Sequence, residues 1–120
     1  MCRTFIVDDE EDMRVLLRAT IDREDRGLHV VAEADSGAGA IALAAELEFD
    51  VIVLDHKMPG MNGLDTAARF LEAEPDLPIV LYSAFLDAEV AGEADRIGIR
   101  SCVRKGDTRA LVRALHDACP

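Results

Sequence analysis

No stretch of the chain approaches the ~20 consecutive apolar residues that a membrane-spanning helix requires. The opening MCRTFIVDDE lacks a charged head followed by a long apolar run, so it does not read as a signal peptide. Basic residues are few, 13 Lys and Arg against 24 Asp and Glu, for a formal charge of −11. That shortage argues against a chain that grips DNA, RNA or an anionic membrane by itself, because phosphate is held by Lys and Arg. It suits cationic partners or the handling of a metal ion. Cysteine is sparse as well. Cys2, Cys102 and Cys119 form no C-x-x-C pair, which speaks against a zinc site, and their odd number leads to the expectation of reduced thiols in a cytoplasmic setting. Low-complexity tracts and long linkers are missing, so residues 1–120 read as one domain.

What is present is a rhythm. Half of the residues are hydrophobic, enough for a core. Short apolar runs alternate with longer amphipathic segments. Strands are expected at TFIV (4–7), HVVAEA (29–34), VIVL (51–54), PIVLY (78–82) and IRSCV (99–103). Helices are expected at 12–24, 39–47, 63–74, 87–97 and 107–118, from apolar residues at helical spacing such as Met13, Leu16, Leu17 and Ile21. Five β–α units with continuous apolar strands indicate an α/β fold, a doubly wound parallel sheet covered on both faces.

In such a sheet all strands end at one edge, where ligands bind. Strand one delivers Asp8 and Asp9 to that edge, strand three Asp55, strand four Ser83 and Ala84, and strand five Lys105. Asp35 and Ser36, after strand two, are expected further out. Two like charges ~4 Å apart repel by about 4 kcal/mol at an effective dielectric of ~20. Three converging carboxylates therefore call for cations. Lys105 supplies one charge, and Mg²⁺, which prefers oxygen ligands, supplies two and closes the balance. A carboxylate beside such an ion is also a nucleophile for phosphoryl transfer. Ser83 and the backbone N–H of Ala84 are placed to hydrogen-bond a phosphoryl group, and Lys105 to pair with it.

The segments FIVDDEED, VIVLDHKMPGMNG, IVLYSA and VRKG, in this order over essentially the whole chain, resemble the receiver domain of bacterial two-component response regulators. The resemblance implies a flavodoxin-like (βα)5 fold with strand order 2-1-3-4-5. It also implies a signalling switch rather than a turnover enzyme, phosphorylated by a sensor histidine kinase or a histidine phosphotransfer protein. Residue by residue, it makes Asp55 the phosphoacceptor, and Asp8 and Asp9 the acidic pair that organises Mg²⁺, with Asp9 the more direct ligand. It makes Asp55 and the Lys57 backbone carbonyl further metal ligands, Ser83 the switch hydroxyl and Lys105 the phosphoryl-contacting lysine. In MPGMNG, Gly60 and Gly63 are expected to permit positive φ, and Pro59 to restrict the loop. Glu10, Glu11 and Asp12 read more simply as the acidic first turn of a helix. His56 reads as solvent-facing or packed rather than as a general base. HVVAEADSGAGAI resembles the subgroup that often precedes a helix-turn-helix output domain. A stand-alone receiver and a segment of a longer regulator both fit, and homodimerisation stays open.

Two departures from the family pattern matter. Cys102 stands where many receivers carry the aromatic residue of the switch, which puts the usual aromatic coupling in doubt. Gly106 follows the lysine where Pro is common, so a mobile loop is expected there. Other classes compete with the signalling reading. A haloacid-dehalogenase-like phosphatase would need a second Asp two residues after the nucleophile, where Lys57 stands. A flavodoxin-like cofactor binder would need a Ser/Thr/Gly loop after strand one, where DDEED would repel phosphate. A degenerate receiver acting as a phosphorylation-independent binding module is kept open by Cys102.

Overall fold

The computed structural model describes residues 2–24 and 27–119. Five β–α units follow one another: β1 (Cys2–Val7), α1 (Glu11–Arg23), β2 (Leu28–Ala34), α2 (Gly37–Ala44), β3 (Val51–Leu54), α3 (Gly63–Ala73), β4 (Ile79–Ser83), α4 (Ala88–Ile97), β5 (Ser101–Arg104) and α5 (Thr108–Ala118). All strand pairs are parallel and the order is β2-β1-β3-β4-β5.

Alternation along the strands sends side chains to two cores. Phe5, Val7, Ile52, Leu54, Ile79 and Leu81 face α2, α3 and α4, where Ala40, Ala67, Phe70 and Ala94 meet them. Ile6, Val51, Val53, Val80 and Tyr82 face the other way, onto Leu17 and Ile21 of α1 and Leu111 and Leu115 of α5. Both faces of β3 are thus covered, which is why VIVL is apolar at every position. Because every strand runs the same way, the C-terminal ends of β1, β3, β4 and β5 share one edge.

Several boundaries differ from the sequence expectation for local reasons. Helix α4 ends at Gly98, whose φ is +103°, and the Ile99 N–H still donates to the Ala94 carbonyl at 2.9 Å. Ile99 therefore belongs to the helix cap, and β5 starts at Ser101. Helix α2 begins earlier than expected because the Ser36 side chain caps it, accepting the Gly39 N–H at 3.0 Å. It stops at Ala44, and Phe49 then packs edge-on against Phe5 at 5.3 Å and Phe70 at 6.4 Å.

The expectation of three reduced thiols is corrected. Cys2 and Cys119 form a disulfide, with Cα atoms 5.7 Å apart across 117 residues of sequence, and only Cys102 is a free thiol among the described residues. The pairing follows from topology: α5 runs back beneath the sheet, so its end meets the start of the inner strand β1 within one apolar cluster. No helix among the described residues is long and apolar enough to cross a membrane.

Candidate functional site

The site grows out of the strand ends. The Asp55 N–H donates to the Val7 carbonyl at 2.9 Å, continuing the β1–β3 ladder one residue past the strand. The Asp8 N–H likewise donates to the Ala34 carbonyl at 3.1 Å, and the Lys105 N–H to that of Ser83 at 3.0 Å. Each of these three candidate residues is therefore anchored by its own backbone N–H.

Lys105 is the centre. Its Nζ lies 3.0 Å from Asp8 Oδ2, 3.2 Å from Asp55 Oδ2 and 3.6 Å from Glu10 Oε1. Asp8 and Asp55 are buried, whereas Asp9 and Glu10 are exposed. Burial, and then the charge of Asp8, pushes the Asp55 carboxyl up to about 6, against the pull of Lys105. Burial alone would lower the Lys105 ammonium, but the hydrogen bond to Asp8 and the charges of Asp55 and Asp8 outweigh it, and its pKa is raised. The lysine stays charged while Asp55 is held near its protonation point.

Carboxylate oxygens of Asp8, Asp9 and Glu10 lie within 4.8 Å of one another. A compact set of hard oxygen donors with an excess of negative charge fits a Mg²⁺-sized cation. Glu10 is the addition here. The sequence favours a plain helix-start role for it, and it does occupy the N-cap position of α1, with its N–H donating to Asp8 Oδ1 at 2.9 Å. Its carboxylate nevertheless turns into the site. Arg14 belongs to no motif in the sequence. Its Nη1 donates to the Asp8 carbonyl at 2.6 Å while its Nε pairs with Glu33 of β2 at 3.3 Å.

The remaining predicted residues take these positions. Ser83 is fully buried, and its Oγ accepts the Phe85 N–H at 3.1 Å. Ala84 is exposed at the same edge. The Lys57 side chain is exposed and sets its Nζ 4.6 Å from the centre of the Phe85 ring. Cys102 packs in the α3–α4 core, where burial and then Asp95 raise its thiol. His56 is half-buried, and burial followed by the Lys57 charge lowers its imidazole, which accords with packing. Asp35 is exposed and Ser36 caps α2, both apart from the lysine-centred group.

The loop after Asp55 refines one expectation. Gly60 has φ +76°, as anticipated, but Gly63 is not at positive φ. It is required for close approach instead: a Cβ there would lie 2.2 Å from the Asp55 carbonyl oxygen and 2.7 Å from His56 Cα. The Gly63 N–H donates to the His56 carbonyl at 2.7 Å, so the first residue of α3 rests against the Asp55–His56 backbone.

A doubly wound parallel sheet whose carboxyl edge carries a buried Asp, an acidic cluster and a lysine spanning them defines a receiver-type signalling module. Comparison with known proteins agrees. The sequence model of the response regulator receiver domain matches residues 4–116. Chemotaxis protein CheY of Thermotoga maritima is 32% identical over 103 residues, 86% of this chain and 84% of that protein. Response regulator GacA of Pseudomonas aeruginosa is 39% identical over 84 residues, 69% of this chain but 38% of GacA. The chain thus spans well under half the length of that relative. Among solved structures, the response regulator domain of T. maritima CheB superposes with a TM-score of 0.89 at 27% identity, covering 98% of this chain and 96% of that one. A LuxR-family response regulator from Aurantimonas sp. SI85-9A1 gives 0.91 at 28%, covering 98% and 84%. The chain belongs to the response regulator receiver domain family.

Proposed function

We propose that this receiver accepts a phosphoryl group on Asp55 in a Mg²⁺-dependent reaction, and that the change in charge at Lys105 and Ser83 alters the surface presented to partners. The observation that carries the reading is the Lys105 ammonium held between Asp8 and Asp55. An Asp55 oxygen attacks phosphorus, the donor's P–N bond breaks, and the donor imidazole leaves with the electron pair. Lys105 is within reach of the new phosphoryl oxygens through its contact with Asp55, and the buried Ser83 hydroxyl, whose oxygen accepts the Phe85 N–H, donates its O–H to one of them. Asp8, Asp9 and Asp55, with the Lys57 carbonyl as the family implies and the Glu10 carboxylate beside Asp8 and Asp9, would hold Mg²⁺, which supplies charge neutralisation at the transferring group. The proposed donor is a sensor histidine kinase or a histidine phosphotransfer protein in the cytoplasm, where the Cys2–Cys119 pair would meet a reducing pool. Val15 and Leu16, exposed on α1, offer such a protein apolar contact. The chain is proposed to act as a switch without catalytic turnover.

The acidic cluster provides the test. Asp8→Asn with Asp9→Asn removes two of its negative charges. Mg²⁺ affinity measured by calorimetry is expected to fall at least ~30-fold, on the scale of two charge-assisted interactions. Phosphoryl uptake from acetyl phosphate should fall with it. An unchanged Mg²⁺ titration would reduce these residues to the start of a helix.

Lys57 gives a second expectation. Its ammonium, seated on Phe85, links the β3–α3 and β4–α4 loops across the mouth of the site. Water attacking an acyl phosphate in line with the Asp55 bond must pass this rim. A surface cation–π contact is worth only about 0.5–1 kcal/mol, so Lys57→Ala is expected to shorten the phosphoryl lifetime by roughly 2- to 5-fold, with Mg²⁺ affinity unchanged. Decay of the phosphorylated mass after donor removal measures it. Equal or slower decay in the variant would reject shielding.

A further inference from the structure

Gly106 departs from the family pattern, and the structure shows what takes up the difference. Lys105 and Gly106 are the two central residues of a β-turn closed by the Asp107 N–H on the Arg104 carbonyl at 3.1 Å. Gly106 stands in the third position at φ +99°, which proline, locked near −65°, cannot adopt. A proline there would also lack an N–H. The Gly106 N–H is used: it donates to the hydroxyl of Tyr82 at 3.0 Å. Tyr82 is the only tyrosine of the chain, 2% exposed, with its ring held among Val80, Val103, Leu111 and Leu115. A buried phenol needs a partner for its oxygen, and here that partner is the peptide that follows the functional lysine.

Lys105 is consequently gripped on both sides from the end of β4. Its own N–H donates to the Ser83 carbonyl, and the next N–H donates to the Tyr82 hydroxyl. These two bonds set where its Cα lies and in which direction its side chain leaves the turn. Beyond the turn, the Asp107 side chain caps α5 by accepting the Ala110 N–H at 3.1 Å. The glycine expected to loosen this loop instead supplies one of its anchors.

We propose that Tyr82 is a positioning residue for Lys105, acting through the Gly106 N–H to aim the ammonium between Asp8 and Asp55. The tyrosine hydroxyl and the glycine amide act as a pair, which a phenylalanine in the strand or a proline in the turn would break. Its effect on phosphoryl chemistry rests on the phosphoacceptor reading above; its effect on Lys105 itself does not.

Tyr82→Phe deletes the hydroxyl and keeps the ring. Lys57 and Lys105 are the only lysines, so Lys57 is an internal reference. Limited acetylation of the amines, followed by peptide mass analysis, gives the reactivity of Lys105 relative to Lys57. In Tyr82→Phe this ratio is expected to rise ~5-fold, the equilibrium effect of one typical hydrogen bond, and amide exchange at Gly106 is expected to accelerate. Phosphoryl uptake from acetyl phosphate should slow by a similar factor, and that slowing should vanish when Lys105→Met is already present. Unchanged Lys105 reactivity together with unchanged Gly106 exchange would overturn the proposal. So would a loss of uptake equally large in the Lys105→Met background, which would mark a packing defect. If the wild-type chain takes up no phosphoryl group, the functional reading fails, while the lysine reactivity still decides the positioning role.

Discussion

Lys105→Met is expected to lower the melting temperature by on the order of 10 °C in metal-free buffer. The ammonium lies 3.0 Å from Asp8 and 3.2 Å from Asp55, both buried, and its side chain is itself only 11% exposed. Methionine fills much of the same space and removes the only cation paired with those carboxylates among the described residues. Breaking a buried ion pair from one side costs about 3–5 kcal/mol, because the remaining charge is left without compensation. Asp55, already pushed up to about 6, relieves part of this by taking a proton, so about 3 kcal/mol is the appropriate figure. For a domain of this size each kcal/mol shifts the midpoint by roughly 4 °C. Calorimetry with EDTA measures the loss, and addition of Mg²⁺ should recover part of it. A midpoint within ~2 °C of wild type would mean that Lys105 does not hold the site together.

Asp55→Asn is expected to act in the opposite direction. The wild-type carboxyl has an ordinary value of 3.8 and is raised to about 6 by burial and Asp8. A group raised in this way contributes stability that is full below 3.8 and lost as pH climbs through 6. The wild-type domain therefore weakens across that window, whereas the neutral asparagine does not. At pH 7 and without metal the variant should be more stable by about 3 kcal/mol, or roughly 12 °C, and the two should converge near pH 4. The site would then be a place where stability is sacrificed for a reactive carboxylate. A variant less stable than wild type at pH 7, or a gap independent of pH, would show that Asp55 is content as a buried ion.

The sequence discloses most of this site because its chemistry is local to strand ends. VIVLD can be read directly: four apolar residues demand burial on both faces, and the aspartate demands an edge. The same reasoning places Asp8, Ser83 and Lys105 before any coordinate is known. What it misses is set by distance in the fold. The Cys2–Cys119 bond depends on where α5 finishes beneath the sheet, and no spacing rule spans 117 residues. Glu10 looks like any acidic first turn until Lys105 is brought to 3.6 Å of it. Tyr82 reads as one more apolar strand residue, since its hydroxyl gains meaning only when the turn after β5 folds over it. The role of Gly63 is likewise invisible from composition: a glycine at the start of a helix suggests a loop, and only the packing of α3 on the Asp55 backbone shows the close approach.

Whether Asp55 receives the phosphoryl group is decided most directly by intact mass spectrometry. After incubation with acetyl phosphate and Mg²⁺, the wild-type chain is expected to gain the mass of a single phosphoryl group that disappears on brief alkaline treatment, with no gain in EDTA and none in Asp55→Asn. An adduct that persists in Asp55→Asn, or that forms equally well without the metal, would contradict it.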